Sequence, residues 1–220
     1  MNIENRRIAV IGGTGNLGLA LAARWAAAGM QVAIGSRSVK NAEAAAEPIG
    51  AGFGQNRDVA HTADIIVVTV PAKAQLDTLN EIADVVRGKL VVDTTVPLVP
   101  PRVARVQLPA EGSAAMRAQA TMHDDVELIS AFHNVAAQKL AKPGDVGCDV
   151  LVFGDKPEMR DIGIALAEKA GMRGIHGGPL ANSAAAEAMT SVLIHINRVY
   201  GVAEGAGIRI SGDLQQPSAG

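Results

Sequence analysis

Apolar runs and helical periodicities alternate along the whole chain. Short runs rich in Val, Ile and Leu predict strands at Arg6–Gly12, Gln31–Gly35, Ile65–Val70, Lys89–Thr94, Val126–Ala131, Val150–Gly154 and Arg173–His176. The Ala- and Leu-rich stretches between them predict helices at Asn16–Ala28, Val39–Glu47, Lys73–Val86, Ser113–Thr121, Val135–Leu140, Pro157–Ala170 and Asn182–Glu204. Pro157 suits the first turn of its helix, where a missing N–H costs nothing. Such alternation builds βαβ units, and so a doubly wound, mainly parallel α/β sheet. Val96–Gly112 reads as a long loop, because Pro97, Pro100, Pro101 and Pro109 disfavour regular structure.

The first strand gives this pattern a chemistry. Arg7-Ile8-Ala9-Val10-Ile11-Gly12-Gly13-Thr14-Gly15-Asn16-Leu17-Gly18 is an apolar run, a glycine cluster and a helix start. Gly13, Gly15 and Gly18 fit G-x-G-x-x-G in the strand–turn–helix context that gives the motif meaning. Gly13 is expected to permit the tight turn, Gly15 to let backbone approach a pyrophosphate, and Gly18 to let the helix pack closely on the strand. The anion then meets free amides at the positive end of a helix. The fold is therefore expected to be Rossmann-type, with residues 1–180 as the dinucleotide-binding domain, a small helical extension over 181–210 and a flexible tail over 211–220.

The second strand bears on which dinucleotide. A chain that selects NAD carries an acidic residue there for the ribose 2′-hydroxyl. Here the chain reads Gly35-Ser36-Arg37-Ser38-Val39-Lys40, with hydroxyls and cations but no carboxylate. Arg makes charge-assisted, often bidentate hydrogen bonds to phosphate, so this end favours the 2′-phosphate of NADP(H).

Composition narrows the partners. A formal net charge of −2 and 2% aromatic residues argue against a nucleic-acid partner. No apolar stretch is long enough to cross a bilayer, and no signal peptide is visible. Cys148 is the single cysteine, which excludes an intrachain disulfide and suits a reducing, cytoplasmic setting. His61, His123, His176 and His195 lack metal-ligand spacing, so no metal site is expected.

Ligands of an open α/β sheet bind beyond the C-terminal strand ends. That rule nominates the glycine loop, Ser36-Arg37, Thr69–Ala72, Thr94–Pro97, Ala131–Val135 and Gly177–Leu180 as the lining of one crevice. On the last helix Ser183, Glu187, Thr190 and Asn197 share a face. That polar stripe could line a ligand pocket, or it could be the helix's solvated side.

In these residues the chain resembles the NADPH-dependent coenzyme F420 reductases, also called F420-dependent NADP oxidoreductases. The resemblance runs over Arg7 to Ile208. It rests on the glycine loop, Gly35-Ser36-Arg37, Thr69-Val70-Pro71, Val96-Pro97-Leu98-Val99-Pro100, Gly112-Ser113-Ala114-Ala115, Ser130-Ala131-Phe132-His133 and Gly178-Pro179-Leu180-Ala181-Asn182-Ser183. It implies a homodimer that passes a hydride directly between the nicotinamide of NADP(H) and C5 of an 8-hydroxy-5-deazaflavin. It implies that Thr14, Asn16, Leu17, Ser36, Arg37 and Lys40 hold NADP, and that Val70, Pro71 and Ala72 cover its nicotinamide half. The deazaflavin of F420, the second small-molecule substrate, is implied to lie near Val96, Pro97, His133, Val135, Asn182, Ser183 and Thr190. His133 is the candidate catalytic residue, as a polar contact to a ring carbonyl or ring nitrogen; alternatively it is satisfied by strand-end backbone. Two places depart from the family's pattern, Ala72-Lys73-Ala74-Gln75 and Met116. Two other functions stay open. One is NADPH-dependent reduction of another small planar, imine or carbonyl acceptor, which needs a proton donor such as Lys139, His133 or Glu187. The other is a non-catalytic NADP-sensing module.

Overall fold

A computed structural model describes residues 3–215 of the chain. The first half forms β1 (Arg7–Ile11), α1 (Asn16–Ala27), β2 (Gln31–Ser36), α2 (Val39–Ala46), β3 (Gly52–Gln55), α3 (Asn56–Thr62), β4 (Ile65–Val68), α4 (Gln75–Ile82) and β5 (Leu90–Asp93). The second half adds α5 (Ala114–Thr121), β6 (Glu127–Ser130), α6 (Ala137–Leu140), β7 (Asp149–Phe153), α7 (Pro157–Lys169), β8 (Arg173–Gly178) and α8 (Ser183–Tyr200). One eight-stranded sheet results, in the order β3-β2-β1-β4-β5-β6-β7-β8. The order reverses at β1, beside β4, which is where a doubly wound sheet opens its crevice.

The pleat sorts each strand's side chains between two cores. Ile8, Val10, Ile65, Val67 and Val92 face one side, with Leu21 and Trp25 of α1 and Leu166 of α7. Ala9, Ile11, Ile66, Val68 and Val91 face the other, with Val59 of α3, Leu79 of α4 and Ala118 of α5. Burial on both faces explains why these strands read as continuous apolar runs. Trp25 is fully buried; its indole N–H donates to the Leu166 carbonyl at 2.8 Å and its ring stands edge-on to Phe132.

The sequence pattern misses β3 and α3. Gly52-Phe53-Gly54-Gln55 is an edge strand, largely exposed and paired only with β2, so no apolar alternation marks it. The last helix stops at Tyr200 rather than running to Glu204, because Gly201 turns it off with φ +62°.

The last two strands also reverse. β7 pairs antiparallel with β6 through Ser130 and Phe153 alone, and β8 is parallel to β7. That register sets the start of β7 beyond the end of β6 and brings Gly178, beside Phe153, back to the level of Ser130. The chain thus enters α8 next to the C-terminal ends of β5 and β6. After α8 the segment to Ile210 returns to β7, where the Asp149 amide donates to the Ile208 carbonyl and the Ile210 amide to the Asp149 carboxylate. Of the expected tail, residues 211–215 carry no regular structure and 216–220 lie outside the described residues. Among the described residues no helix is long and apolar enough to cross a membrane.

Candidate functional site

The glycine loop joins β1 to α1, and its glycines are there for separate reasons. The turn's positive φ, +71°, falls on Gly12, one residue before the motif, rather than on Gly13. A Cβ on Gly13 would lie 2.8 Å from the Val10 carbonyl oxygen, and the Gly13 amide bonds the Gly35 carbonyl at 3.1 Å. A Cβ on Gly18 would lie 2.4 Å from Thr69 Oγ1 and 2.9 Å from Gly13 Cα, so that glycine seats α1 against the loop and the end of β4. Gly15 differs: a Cβ there would meet only the Gly12 carbonyl oxygen, at 3.4 Å. Nothing among the described residues requires glycine at 15, and its exposed backbone has room for the close approach of a ligand. Gly15 is also the N-cap of α1, and no side chain caps that helix. Its carbonyl accepts the Leu19 amide at 2.9 Å, so the amides of Asn16, Leu17 and Gly18 precede that bond at the helix end. Thr14, Gly15 and Asn16 are exposed at the tip. The cradle fits the pyrophosphate of a dinucleotide.

At the end of β2, Ser36 is buried, and its Oγ accepts the Ser38 amide at 3.3 Å. Ser38 caps α2 by accepting the Asn41 amide. Arg37 and Lys40 are exposed on that turn, and Arg37 has no hydrogen-bond or ion-pair partner among the described residues. Its free guanidinium suits a 2′-phosphate.

Beyond β4 and β5 the loops are fixed from below. Thr69 Oγ1 donates to the Ile11 carbonyl at 2.9 Å, and Thr94 Oγ1 to the Val68 carbonyl at 3.0 Å. Val70 packs against Gly12, and Pro71 is exposed. Ala72 is half-buried, with its carbonyl 3.4 Å from Arg117 Nη2. Arg117 also donates twice to Gln75 Oε1, at 3.0 and 2.7 Å. Gln75 in turn donates to Asp93 Oδ2 at 2.7 Å and to the Ala114 carbonyl at 3.0 Å. Asp93 is fully buried, and its Oδ1 accepts the Thr95 hydroxyl at 2.6 Å. Burial pushes its carboxyl up to about 6, against the bonds from Thr95 and Gln75 and the charge of Arg117. This network holds the start of the Val96-Pro97 loop, where Val96 is half-buried and Pro97 buried.

The remaining side is built by Ser130–Val135 and α8. His133 is buried, and burial pushes its imidazole down to about 4, so it is neutral near pH 7. Its Nε2 lies 2.7 Å from Ser130 Oγ. Its carbonyl accepts the Thr190 hydroxyl at 3.0 Å, and Asn134 Nδ2 reaches Thr190 Oγ1 at 3.1 Å. Val135 is half-buried beside them. The polar stripe of α8 is tied to its neighbours by hydrogen bonds. Ser183 donates to Ser113 Oγ at 3.0 Å, Glu187 accepts the Ala114 and Ala115 amides at 2.7 and 3.1 Å, and Asn197 accepts the Ala206 amide at 2.7 Å. Ser183 is thus fully buried, whereas Asn182 is exposed and donates to the Gly177 carbonyl. Burial pushes Glu187 up to about 7, a rise the two amides oppose and the charge of Asp93 reinforces. Among the described residues no three His, Cys, Asp or Glu side chains are grouped to hold a metal ion.

Sequence reasoning passed over Asp93 and Arg117, and it gave no role to Gln75, met only as a departure from the family's pattern, or to Ser130, met only as part of the resemblance. Asp93 carried a signal, because a carboxylate closing the apolar run Leu90-Val91-Val92 inside a parallel sheet needs partners.

A glycine cradle shaped for a pyrophosphate, with an unpaired arginine at the next strand end, places the chain among the Rossmann-type NAD(P)-dependent oxidoreductases. Comparison with known proteins narrows this. Residues 7–97 match the model of the family "NADP oxidoreductase coenzyme F420-dependent". The F420-dependent NADP reductase of Methanothermobacter thermautotrophicus is 39% identical over 93% of this chain and 94% of its own length. That of Methanocaldococcus jannaschii is 34% identical over 93% of this chain and 98% of its own. The chain belongs to the F420-dependent NADP oxidoreductase family. Among solved structures, an Arthrobacter protein named provisionally as an F420-dependent NADP reductase superposes with a TM-score of 0.80 at 21% identity, covering 94% of this chain and 100% of its own. An imine reductase variant from Myxococcus stipitatus superposes with a TM-score of 0.60 at 23% identity, over 90% of this chain and 63% of its own; that likeness is one of fold.

Proposed function

We propose that this chain transfers a hydride between NADP(H) and the deazaflavin coenzyme F420. The observation that carries the reading is that its likeness to the F420-dependent NADP reductases extends over 93% of the chain, through His133 and α8 as well as the nucleotide loop. When bound, nicotinamide and deazaflavin are themselves hydride donor and acceptor, so the protein has to align two rings rather than supply reactive groups. Thr14, Asn16, Leu17 and Gly18 offer backbone amides to the pyrophosphate, while Gly13 and Gly15, whose amides bond the Gly35 and Gly12 carbonyls, shape the loop beneath it. Ser36, Arg37 and Lys40 hold the 2′-phosphate. Val70, Pro71 and Ala72 cover the nicotinamide half. Val96, Pro97, Val135 and Asn182 border the second ring, with His133 touching its polar edge. Thr190, tied to the His133 carbonyl, and Ser183, tied to Ser113, shape that side from behind.

Direct transfer suits the proton inventory. Reduction of an imine or carbonyl needs an acid in the crevice. Glu187 is engaged by two amides, and Lys139 Nζ lies against Gly147. Two copies of the chain act together in this reading. The exposed apolar residues Met189, Val192, Val199 and Tyr200 of α8 support a homodimer. The lone buried thiol of Cys148 fits action in the cytoplasm.

The test is to mix the protein with NADPH and oxidised F420 and to follow the deazaflavin's long-wavelength absorbance. Rapid bleaching with NADPH but not with NADH is expected. Tight NADPH binding without bleaching would overturn the assignment of F420 as acceptor.

A further inference from the structure

The bonds around Ser130 bear on which nitrogen of His133 carries the proton. Ser130 Oγ has two polar neighbours: the Asp93 carbonyl oxygen at 3.2 Å and His133 Nε2 at 2.7 Å. A hydroxyl has one proton to give, and a carbonyl can only accept. If the hydroxyl pointed at His133, its oxygen would face the Asp93 carbonyl oxygen with no proton between them, inside a fully buried strand end. Only one arrangement makes both contacts hydrogen bonds. Ser130 donates to the Asp93 carbonyl and accepts from an Nε2–H of His133. Nδ1 is then a bare lone pair. It has no hydrogen-bond partner among the described residues, yet it is not among the sealed, unpartnered polar atoms. It therefore keeps a little exposure, and His133 follows the end of β6, on the side where an open sheet binds its ligands.

We propose that Ser130 is a positioning residue that locks His133 as its Nε2–H tautomer and thereby presents Nδ1 as a fixed acceptor for a ring N–H of the second substrate. This rests on the F420 reading, since the pyrimidinedione edge of a deazaflavin carries an imide N–H between two carbonyls. It also narrows the contact expected of His133: an acceptor cannot bond a ring carbonyl, so the ring presents its N–H. Burial, which keeps the imidazole uncharged, maintains the acceptor across the neutral range. An oxidised acceptor that lacks an imide N–H leaves Nδ1 unmatched, which makes this atom a determinant of specificity.

The experiment is nitrogen NMR on the full chain labelled with ¹⁵N-histidine, read at His133 by comparison with a His133→Asn variant. The expected wild-type spectrum has a protonated Nε2 and an unprotonated Nδ1. In Ser130→Ala the Nε2–H loses its acceptor, and the two tautomers should mix; Ser130→Thr, which keeps the hydroxyl, should restore the single form. Adding F420 should shift the Nδ1 signal as it accepts a hydrogen bond, whereas NADP⁺ alone should not. Ser130→Ala should raise KM for F420 about fivefold with little change in kcat, the size of one neutral hydrogen bond. A protonated Nδ1 in the wild type would overturn the proposal, and so would a shift produced by NADP⁺ alone. If F420 neither binds nor turns over, the F420 reading fails and the acceptor assignment with it; the free protein's spectrum still decides the tautomer.

Discussion

Glu187 reaches from the first turns of α8 to the start of α5, where its carboxylate accepts the Ala114 amide at 2.7 Å and the Ala115 amide at 3.1 Å. Ser113 accepts the Met116 amide at 3.0 Å, so one helix end is capped by its own N-cap residue and by a distant helix together. The join is what fixes α8 beside β5 and β6.

Its chemistry sets a pH dependence. In the folded chain Glu187 titrates near 7, above its ordinary 4.5, so folding tightens its hold on a proton. The stabilisation this gives is complete below pH 4.5 and is lost as the pH rises through about 7. His133 has the opposite sign: depressed from 6.5 to about 4, it contributes stability above pH 6.5 that is lost as the pH falls through about 4. Glu187→Gln removes the first effect together with its coupling to Asp93, whose carboxyl, raised to about 6, loses stability with the same sign as the pH rises. Urea unfolding from about pH 5 to pH 8 should show the wild type losing stability relative to this variant as the pH rises, by a few kcal/mol. Parallel curves would mean that Glu187 does not titrate in that range.

Arg37 stands exposed without a partner among the described residues, so its removal costs the fold nothing that the structure shows. Arg37→Ala should weaken NADP⁺ binding on the order of tenfold to a hundredfold, the value of a charge-assisted bond to phosphate, and leave NAD⁺ binding nearly unchanged. Titration calorimetry with both nucleotides checks this. Equal losses would remove the 2′-phosphate from the account of that residue.

The sequence made the nucleotide end legible because its signals are local. Strand, glycines and helix are contiguous over Arg7–Gly18, and Arg37 lies one strand further on. The other side of the crevice is assembled from Asp93, Gln75, Ser130 and Glu187, which are far apart in the chain. No periodicity announces a glutamate on a helix as the cap of another helix. Nor does an apolar run disclose its direction: β7 reads like its neighbours, and its reversal depends on the route of residues 131–148 through α6. β3 stayed hidden because an exposed edge strand needs no apolar face.

The outer stripe of α8 carries the dimer reading to a measurement. Val192 is 42% exposed and Tyr200 77%, on a helix whose opposite face is anchored by Glu187 and Thr190. Val192→Asp would set charges against each other across a two-fold contact. Sedimentation should show a dimer for the wild type and a shift towards monomer for the variant, with the helical signal unchanged. A monomeric wild type would refute the dimer.

Gly15 and Gly18 share one motif but should fail differently when each becomes alanine. At Gly18 the new methyl would lie 2.4 Å from Thr69 Oγ1 and 2.9 Å from Gly13 Cα, and backbone cannot step aside as a flexible side chain can. Gly18→Ala should therefore lower stability by about 1–3 kcal/mol, the range for overpacking, and impair nucleotide binding as a consequence. At Gly15 the methyl would meet only the Gly12 carbonyl oxygen, at 3.4 Å, on a backbone with φ −78° that alanine adopts freely. Gly15→Ala should leave Tm within experimental scatter of the wild type, or raise it slightly through the unfolded state, while NADPH binding drops sharply. Thermal unfolding and NADPH titration on both variants separate the two roles. Undiminished NADPH binding in Gly15→Ala would mean that the pyrophosphate does not pass over this residue.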